Sequence, residues 1–322
     1  MTVSFQGMAI DLKATSGPLF LVGATGVGKS AAAMELARAT GAAILAMDAM
    51  QVYRGADIGT SKPSAAERAE MPHGGLDLVE FGAGFDVAHY LKHAEAFLQE
   101  QREAGRPVII VGGTGLYFWA LTQGLCEAPQ GPEELRAELN GLTTEALRER
   151  LRGIDPVILE GLDGSNPRRL IRAIEVMETT GRSLLDWQRE TPEPLVPEFT
   201  AYWIQRSKGE LAQRIEARVE EMFNQGWVEE VRGLVARYGL ETVRGFAGIG
   251  YREIAGEIAS CARSAPGQQV ARANGDEVKS DILVATRQYA KRQLTWFRRE
   301  LSVKEIMLSG TQPLSAALPL LP

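Results

Sequence analysis

The first part of the chain alternates short apolar runs with helical patterns. Residues 19–22 and 42–47 are apolar runs of strand length, and residues 31–39 between them are strong helix formers. A third apolar run, 107–111, follows a helical pattern that Asp86 is suited to cap. The alternation of strand and helix predicts an α/β fold with a doubly wound parallel sheet.

The pattern changes between residues 124 and 197. Short helical segments rich in Glu, Arg and Leu follow turn residues there, and no strand pattern interrupts them. We interpret this stretch as an all-helical insertion domain in a core made of residues 1–123 and 198–322. The core resumes with a predicted strand at 199–205 and a charged amphipathic helix at 210–225.

The end of the core combines a polar stretch with a basic helix. Residues 263–280 are rich in small and polar residues and predict a mobile loop. The helix predicted at 286–299 carries five cations and no acid. Its core-facing stripe is predicted to be Leu283, Ala290, Leu294 and Phe297, and its exposed face Tyr289, Arg292, Trp296 and Arg299. Aromatics among cations suit contact with bases and phosphates, although a merely solvated basic face is the alternative.

Residues 23–30 have the spacing of a phosphate-binding loop, G-x-x-x-x-G-K-[ST]. Its glycines let backbone N–H groups turn towards an anion, Lys29 supplies a positive charge, and the Ser30 hydroxyl can hold Mg²⁺, with Thr25 as a second candidate. The helix that follows adds the favourable field of its N-terminus. The predicted diphosphate-binding residues are Gly23, Ala24, Thr25, Gly26, Val27, Gly28, Lys29 and Ser30.

Composition and charge narrow the class of protein. The chain has 322 residues and a net charge of −6, so any nucleic-acid binding must use local basic patches. Its two cysteines, Cys126 and Cys261, do not form a ligand-spaced cluster and fit a reducing compartment. No apolar run has the length of a membrane span and no signal-peptide core is evident. We therefore expect a cytoplasmic protein without a membrane partner.

Polar features follow each of the first three predicted strands. They are the phosphate loop, Asp48 and residues 112–115. Because ligands collect at the carboxyl ends of parallel strands, we expect these features to line one crevice. The third strand ends in glycines, where a hydrolysing P-loop ATPase usually has an Asp for Mg²⁺. Asp48 is therefore predicted to orient or deprotonate a nucleophile beside the phosphate. Phosphoryl transfer and transfer of another group from a diphosphate both remain open.

Six motifs, in this order along the chain, resemble those of the tRNA dimethylallyltransferases, also called tRNA isopentenyltransferases. They are residues 23–30, 48–55 with 57–60 and 62–63, 112–117, 166–169, 248–252, and 286–293 with 295–296. The resemblance is to the bacterial type, which lacks a C-terminal zinc finger. It implies a P-loop NTPase-like core and transfer of a dimethylallyl group from dimethylallyl diphosphate to N6 of the adenosine just 3′ of the anticodon. The substrates it implies are tRNAs that read codons beginning with U, and diphosphate is released.

The resemblance also implies roles for individual residues. Asp48 would take the proton of the amine, Thr114 would position the acceptor base or the leaving oxygen, and Arg287 would stabilise the diphosphate together with Mg²⁺. The residues implied to contact the tRNA are Asp48, Ala49, Met50, Gln51, Thr114, Arg168, Arg169, Leu170, Ile171, Arg172, Gly248, Gly250, Tyr251, Arg252, Lys291, Arg292, Gln293, Trp296 and Arg298. The insertion would hold the anticodon stem of a tRNA whose target base has left its stack. A monomer is expected.

Two other functions remain as alternatives. A small-metabolite kinase would use the same loop for ATP, since the loop suits any diphosphate, and would not bind tRNA. A P-loop scaffold that binds RNA without chemistry predicts that Asp48→Ala has no effect. No role is predicted for His73, because residues 72–77 depart from the family pattern.

Overall fold

A computed structural model of the protein describes residues 3–5, 8–10, 17–260, 275–300 and 304–310. The chain divides into two compact units. Unit 1 comprises Met1–Phe118 and Glu198–Pro322, and unit 2 comprises Trp119–Pro197. The helical insertion predicted at 124–197 falls within unit 2, which begins slightly earlier in the chain.

Unit 1 contains all the strands that the structure describes. They are β1 (Val3–Phe5), β2 (Met8–Ile10), β3 (Leu19–Val22), β4 (Ala43–Met47), β5 (His73–Gly74), β6 (Val108–Gly112), β7 (Thr200–Gln205) and β8 (Lys304–Met307). The strands β1 and β2 form an antiparallel pair. The other six form a parallel sheet in the order β5-β4-β6-β3-β7-β8. Every residue of β3, β4 and β6 is buried, as expected for strands covered on both faces. The α/β fold with a parallel sheet is confirmed.

Helices cover this sheet. Those that lie in unit 1 are α1 (Lys29–Thr40), α2 (Ala65–Glu70), α3 (Val87–Glu103), α10 (Lys208–Asn224), α11 (Trp227–Tyr238), α12 (Leu240–Gly245), α13 (Tyr251–Ser260) and α14 (Asp276–Glu300). Asp86 caps α3 as predicted, because its Oδ1 accepts a hydrogen bond from the His89 N–H at 3.0 Å. The boundary between the units falls within α4 (Gly115–Gln123). None of the described helices is long and apolar enough to cross a bilayer.

Unit 2 has its own apolar core. Its helices are α5 (Glu133–Asn140), α6 (Thr144–Ile154), α7 (Pro156–Gly161), α8 (Pro167–Thr180) and α9 (Leu184–Arg189). The fully buried residues Leu139, Leu151 and Leu170 pack in this core. Glu175 is also buried and forms ion pairs with Arg136 and Arg172. A buried carboxylate needs such partners, so these arginines stabilise the unit.

Near the C-terminus, one sequence-based expectation was wrong and one strand was not predicted. The mobile loop predicted at 263–280 conflicts with α14, whose first turns are residues 276–280; residues 263–274 lie outside the described residues. The polar composition of this stretch gave no indication that a helix begins there, although Val278 and Ile282 are buried at a spacing of one helical turn. No element was predicted after Glu300, yet β8 pairs in parallel with β7 at the edge of the sheet.

Candidate active site

The phosphate loop connects β3 to α1. Gly26 and Gly28 have φ angles of 84° and 102°, a left-handed conformation that residues with a side chain rarely adopt. Lys29 follows them and donates from Nζ to the Ala24 carbonyl oxygen at 2.7 Å. Burial lowers the pKa of Lys29 to about 7; the charge of Arg218 also lowers it, and the charge of Asp48 opposes the shift. An anion that enters this loop therefore favours protonation of the amine.

Asp48 lies at the carboxyl end of β4, as predicted, and is partly buried. Its Oδ1 accepts a hydrogen bond from the Met50 N–H at 2.8 Å, which fixes the direction of the carboxylate. The next N–H, that of Ala49, donates to Thr114 Oγ1 at 3.3 Å and so connects the ends of β4 and β6. The Thr114 hydroxyl is also hydrogen-bonded to the Tyr289 phenol, which lines the same cavity.

A cavity of about 160 Å³ lies over these strand ends. The residues lining it are Thr25, Lys29, Ser30, Ala33, Met34, Ile44, Ala46, Asp48, Gln51, Ser61, Lys62, Pro63, Glu67, His73, Val111, Gly112, Gly113, Arg218, Tyr289 and Gln293. The three polar features expected to line one crevice therefore meet there. The lining combines apolar side chains with cations, which suits a ligand with a hydrocarbon part and a diphosphate part.

Arg218 on α10 is a cavity residue that sequence reasoning missed. Its Nη1 donates to Thr25 Oγ1 at 3.1 Å and its Nε donates to Ser61 Oγ at 3.0 Å. Burial lowers the pKa of this guanidinium, and the charge of Asp48 opposes the shift. A signal was present in the sequence, since Arg218 adjoins the buried stripe that Ile215 and Val219 form on the same helix.

Arg287 was predicted to stabilise the diphosphate, but it lies outside the cavity. Its side chain is 46% exposed and its Nη2 is 3.5 Å from Oε2 of Glu216 on α10. Arg218, unlike Arg287, lies beside the phosphate loop, because it is on the face of α10 that packs towards the loop. The structure thus separates the two arginines: Arg218 lines the cavity and Arg287 does not.

Two further arginines support the phosphate loop from outside. Arg206 Nε donates to the Val27 carbonyl oxygen at 2.8 Å, and Arg214 Nε donates to the Gly26 carbonyl oxygen at 2.9 Å. These bonds engage the carbonyl groups of the loop. The loop is thereby held in shape before any ligand binds.

The prediction of which residues form the exposed face of α14 is only partly correct. Arg292 and Arg299 are exposed. Tyr289 is partly buried and lines the cavity, and burial raises its pKa, with a smaller contribution from the charge of Asp48. Trp296 is partly buried and packs edge-on against Phe118. The helix turns these two aromatic residues towards the core because its inner face is wider than a single apolar stripe.

Gln293 on α14 joins two loops of the crevice and is only 7% exposed. Its Oε1 accepts a hydrogen bond from the Thr25 N–H at 2.8 Å, and its Nε2 donates to the Gly113 carbonyl oxygen at 2.9 Å. These two bonds engage both ends of the amide within the protein. It connects the phosphate loop to the turn that carries Thr114.

The residues predicted to contact tRNA fall into two groups. Those with exposed side chains are Arg168, Arg169, Arg252, Lys291, Arg292 and Arg298. Those buried or partly buried in the structure are Asp48, Ala49, Met50, Gln51, Thr114, Leu170, Ile171, Arg172, Gly248, Gly250, Tyr251, Gln293 and Trp296. In the second group, Leu170 and Tyr251 are fully buried and cannot contact a partner through their side chains. Arg172 donates to the carbonyl oxygens of Ala128 and Pro129, which indicates a structural role.

The two metal-ligand candidates differ in their surroundings. Ser30 is exposed at the start of α1, where its hydroxyl is accessible to a cation that also binds a diphosphate. The Thr25 hydroxyl oxygen already accepts a hydrogen bond from the cationic Arg218, so it is a poor ligand for Mg²⁺. No cluster of three His, Cys, Asp or Glu side chains with metal-binding geometry occurs in the described part of the chain. Of the two candidates, Ser30 is the one that fits as a ligand for Mg²⁺.

His73, for which no role was predicted, also lines the cavity. Its Nδ1 lies 2.9 Å from the Met71 carbonyl oxygen, which can only accept, so Nδ1 carries the hydrogen. Burial lowers the pKa of the imidazole. A neutral ring in this tautomer leaves Nε2 as an acceptor, which is buried and has no hydrogen-bond partner among the described residues.

A sequence model described as IPP transferase matches residues 51–300, which is more than half of the chain. The chain belongs to the IPP transferase family. Among other members, the chain is 42% identical to the tRNA dimethylallyltransferase of Methylacidiphilum infernorum, over 95% of this chain and 89% of that protein. It is 41% identical to the tRNA dimethylallyltransferase of Geobacter metallireducens, over 86% of this chain and 88% of that protein.

Solved structures of IPP transferases share the fold. A crystal structure of the tRNA isopentenylpyrophosphate transferase of Bacillus halodurans is 30% identical, has a TM-score of 0.60, and aligns with 90% of this chain and 89% of its own. A eukaryotic dimethylallyltransferase described as acting on tRNA is 21% identical and has a TM-score of 0.74, with 91% of this chain and 74% of its own covered. At that identity the likeness concerns the fold alone.

Proposed function

We propose that this IPP transferase is a tRNA dimethylallyltransferase. It transfers the dimethylallyl group of dimethylallyl diphosphate to N6 of the adenosine just 3′ of the anticodon, in tRNAs that read codons beginning with U. The observation that carries the proposal is the juxtaposition of Asp48 with Lys29 and Arg218 at the phosphate loop, in a chain whose relatives carry this name. The crevice thus combines a carboxylate for the acceptor with cations for the leaving group.

Asp48 serves as the base in this reaction. The exocyclic amine of adenine is a poor nucleophile, and it becomes more acidic as its nitrogen bonds to the allylic carbon. A carboxylate held by the Met50 N–H can take the proton during that step. The Thr114 hydroxyl, beside Ala49, positions either the amine or the oxygen that leaves.

Cleavage of the carbon–oxygen bond places negative charge on the diphosphate. Lys29 and Arg218 lie where that charge develops, together with the N–H groups of the phosphate loop. Ser30 would hold Mg²⁺, which would supply further positive charge at the same place. The apolar part of the cavity, which includes Ala33, Met34 and Val111, receives the hydrocarbon chain and excludes water from the allylic centre.

Exposed cations provide the contacts with the tRNA backbone. Lys291, Arg292 and Arg298 lie on α14, and Arg168 and Arg169 lie on the first turn of α8 in unit 2. The target adenosine leaves its stack to reach Asp48. The anticodon stem-loop as the recognised element, the monomeric state and the cytoplasmic location remain predictions.

The small-metabolite kinase is not favoured. β6 ends in Gly112 and continues into Gly113, so the strand that carries the Mg²⁺-binding Asp of many P-loop enzymes has no carboxylate at this point. The carboxylate of Asp48 follows the end of β4 instead, where it can serve an acceptor. This position fits a group transfer in which the diphosphate leaves intact.

The proposal is tested by intact-mass measurement of an unmodified anticodon stem-loop. The protein is incubated with Mg²⁺ and either dimethylallyl diphosphate or ATP. A gain of one C5 prenyl unit with the diphosphate, and no phosphorylated product with ATP, is the expected result. If the mass of the stem-loop does not change and ATP is consumed, the proposal is contradicted and the kinase function is favoured.

A further inference from the structure

Glu230 on α11 lies outside the cavity and accepts four hydrogen bonds. Its Oε2 accepts from the N–H groups of Asp57 and Ile58 at 2.9 and 2.6 Å. Its Oε1 accepts from the Gly59 N–H at 3.3 Å and from the Tyr251 hydroxyl at 2.7 Å. One carboxylate thus binds three consecutive backbone N–H groups and a buried phenol. Charge-assisted bonds of this kind are stronger than bonds between neutral groups.

Trp227 contacts the same two segments from one turn earlier on α11. A Cβ atom built on Gly59 would lie 2.2 Å from Trp227 Nε1, and one built on Gly250 would lie 2.1 Å from Trp227 Cη2. The indole is therefore packed between two glycine backbones, and only 1% of the residue is exposed. Trp227 and Glu230 together hold residues 57–59 against the turn before α13; we call this pair the α11 clamp.

The segment that the clamp holds leads directly into the crevice. Ser61 accepts a hydrogen bond from Arg218 Nε at 3.0 Å, which ties the segment to the diphosphate side. Gln51 donates from Nε2 to the carbonyl oxygens of Thr60 and Ser61 at 3.0 and 3.3 Å, which ties it to the acceptor side. The clamp is thus separated from each side of the crevice by only a few covalent and hydrogen bonds.

We propose that Glu230 is a positioning residue for prenyl transfer: it fixes residues 57–61 so that Ser61 orients Arg218 and the backbone orients Gln51. The kinetic consequences of this inference rest on the proposed function. Its structural consequences rest on the contacts of Glu230 alone. Without the carboxylate, three N–H groups lose their partner and the segment shifts. A displacement of about 1 Å at a reacting centre can lower a rate on the order of 100-fold.

The test compares Glu230→Ala and Glu230→Gln with Glu229→Gln, a control on the same helix whose side chain is exposed. We expect Glu230→Ala to lower kcat/KM on the order of 100-fold, Glu230→Gln about tenfold because its amide keeps part of the bonding, and Glu229→Gln less than about twofold. A double-mutant cycle with Ser61→Ala separates positioning from general destabilisation. If Glu230 acts through Ser61, the two losses are less than additive.

Hydrogen exchange at the amides of Asp57, Ile58 and Gly59 gives a measurement that does not depend on activity. We expect Glu230→Gln to speed exchange at these amides while the melting temperature stays within about 2 °C of wild type. Unchanged exchange there, or losses that are fully additive with Ser61→Ala, would overturn the inference. If the wild type transfers no prenyl group but Glu230→Gln still exchanges these amides faster than the wild type does, only the proposed function is contradicted.

Discussion

Arg218 and Arg287 lie on two helices of unit 1 that contact each other, yet their surroundings are opposite. Arg218 on α10 lines the cavity and donates to Thr25 and Ser61. Arg287 on α14 is solvent-exposed and faces Glu216 of α10. The basic helix therefore directs much of its charge to the surface, and the helix of mixed charge supplies the arginine of the crevice. A cluster of like charges in a sequence indicates an exposed surface, whereas a charged residue that lines an active site can stand alone among acidic residues.

The largest effect expected from this comparison is on the transfer step itself. Arg218→Gln should lower the single-turnover rate by about 100- to 1000-fold, because it removes a preorganised charge from the leaving group. Arg287→Gln should change that rate by less than about threefold, since an exposed ion pair contributes at most about 1 kcal/mol. Rapid quench of the reaction with bound substrates measures both. Equal losses in the two variants would break the comparison.

A second prediction concerns Gln293, which α14 directs inwards. Gln293→Leu removes the partners of the Thr25 N–H and the Gly113 carbonyl, and each unsatisfied buried group costs about 1–3 kcal/mol. We expect weaker binding of dimethylallyl diphosphate by about tenfold or more, together with a lower melting temperature. Calorimetric titration and thermal unfolding provide the two measurements.

Gln288→Leu on the exposed face of the same helix is the matched control for Gln293. It should leave both binding and melting temperature close to wild type. If the two variants behave alike, the bridge between the phosphate loop and the Thr114 turn has no energetic importance.

The third prediction follows from the lowered pKa of Lys29. With a pKa of about 7 in the empty site, Lys29 is protonated below that pH and loses its proton as pH rises. Dimethylallyl diphosphate needs the charged amine, so its affinity should be greatest below pH 7 and fall above it, by up to about tenfold per unit. Titrations in buffers of different ionisation enthalpy should show proton uptake at pH 8.

Arg218 sharpens this pH prediction. Its charge helps to lower the pKa of Lys29, so Arg218→Gln should move the loss of affinity to higher pH. Lys29→Gln should bind weakly with little pH dependence in the same range. A wild-type affinity that stays constant from pH 7 to pH 9 would contradict the assignment.

The smallest effect is expected on the exposed face of α14. Lys291→Gln and Arg298→Gln should each weaken tRNA binding a few-fold and lower the slope of log affinity against log salt by about 0.7–0.9, as expected when one phosphate contact is lost. Binding measured from 50 to 300 mM salt tests this. An unchanged slope would mean that this face is simply solvated.

Much of the fold could be predicted because local signals agreed with tertiary packing. The strands β3, β4 and β6 are uninterrupted apolar runs between turn residues, and Asp86 stands where a helix cap is needed. The strand β8 was missed, since it is an edge strand that exists through its pairing with β7. Pairing partners distant in sequence leave little trace in local patterns.

The candidate site could be predicted where a motif carries its own geometry. The phosphate loop and Asp48 lie as expected because a strand end fixes each of them. The orientations of Arg218, Tyr289 and Gln293 could not be predicted, because each depends on how α10 and α14 rotate against the sheet. For Leu170 and Arg172, the family resemblance implied contact with tRNA, but Leu170 packs in the apolar core of unit 2 and Arg172 pairs with the buried Glu175.

The central claim is that Asp48 accepts the proton of an amine while the cations beside the phosphate loop hold the diphosphate. It is tested most directly by the single-turnover rate of prenyl transfer to an anticodon stem-loop for Asp48→Asn, with the dissociation constant of dimethylallyl diphosphate measured in parallel. The account predicts a rate at least about 100-fold lower and diphosphate binding that is not weakened. A rate within about threefold of wild type would contradict the assignment of Asp48 as the base.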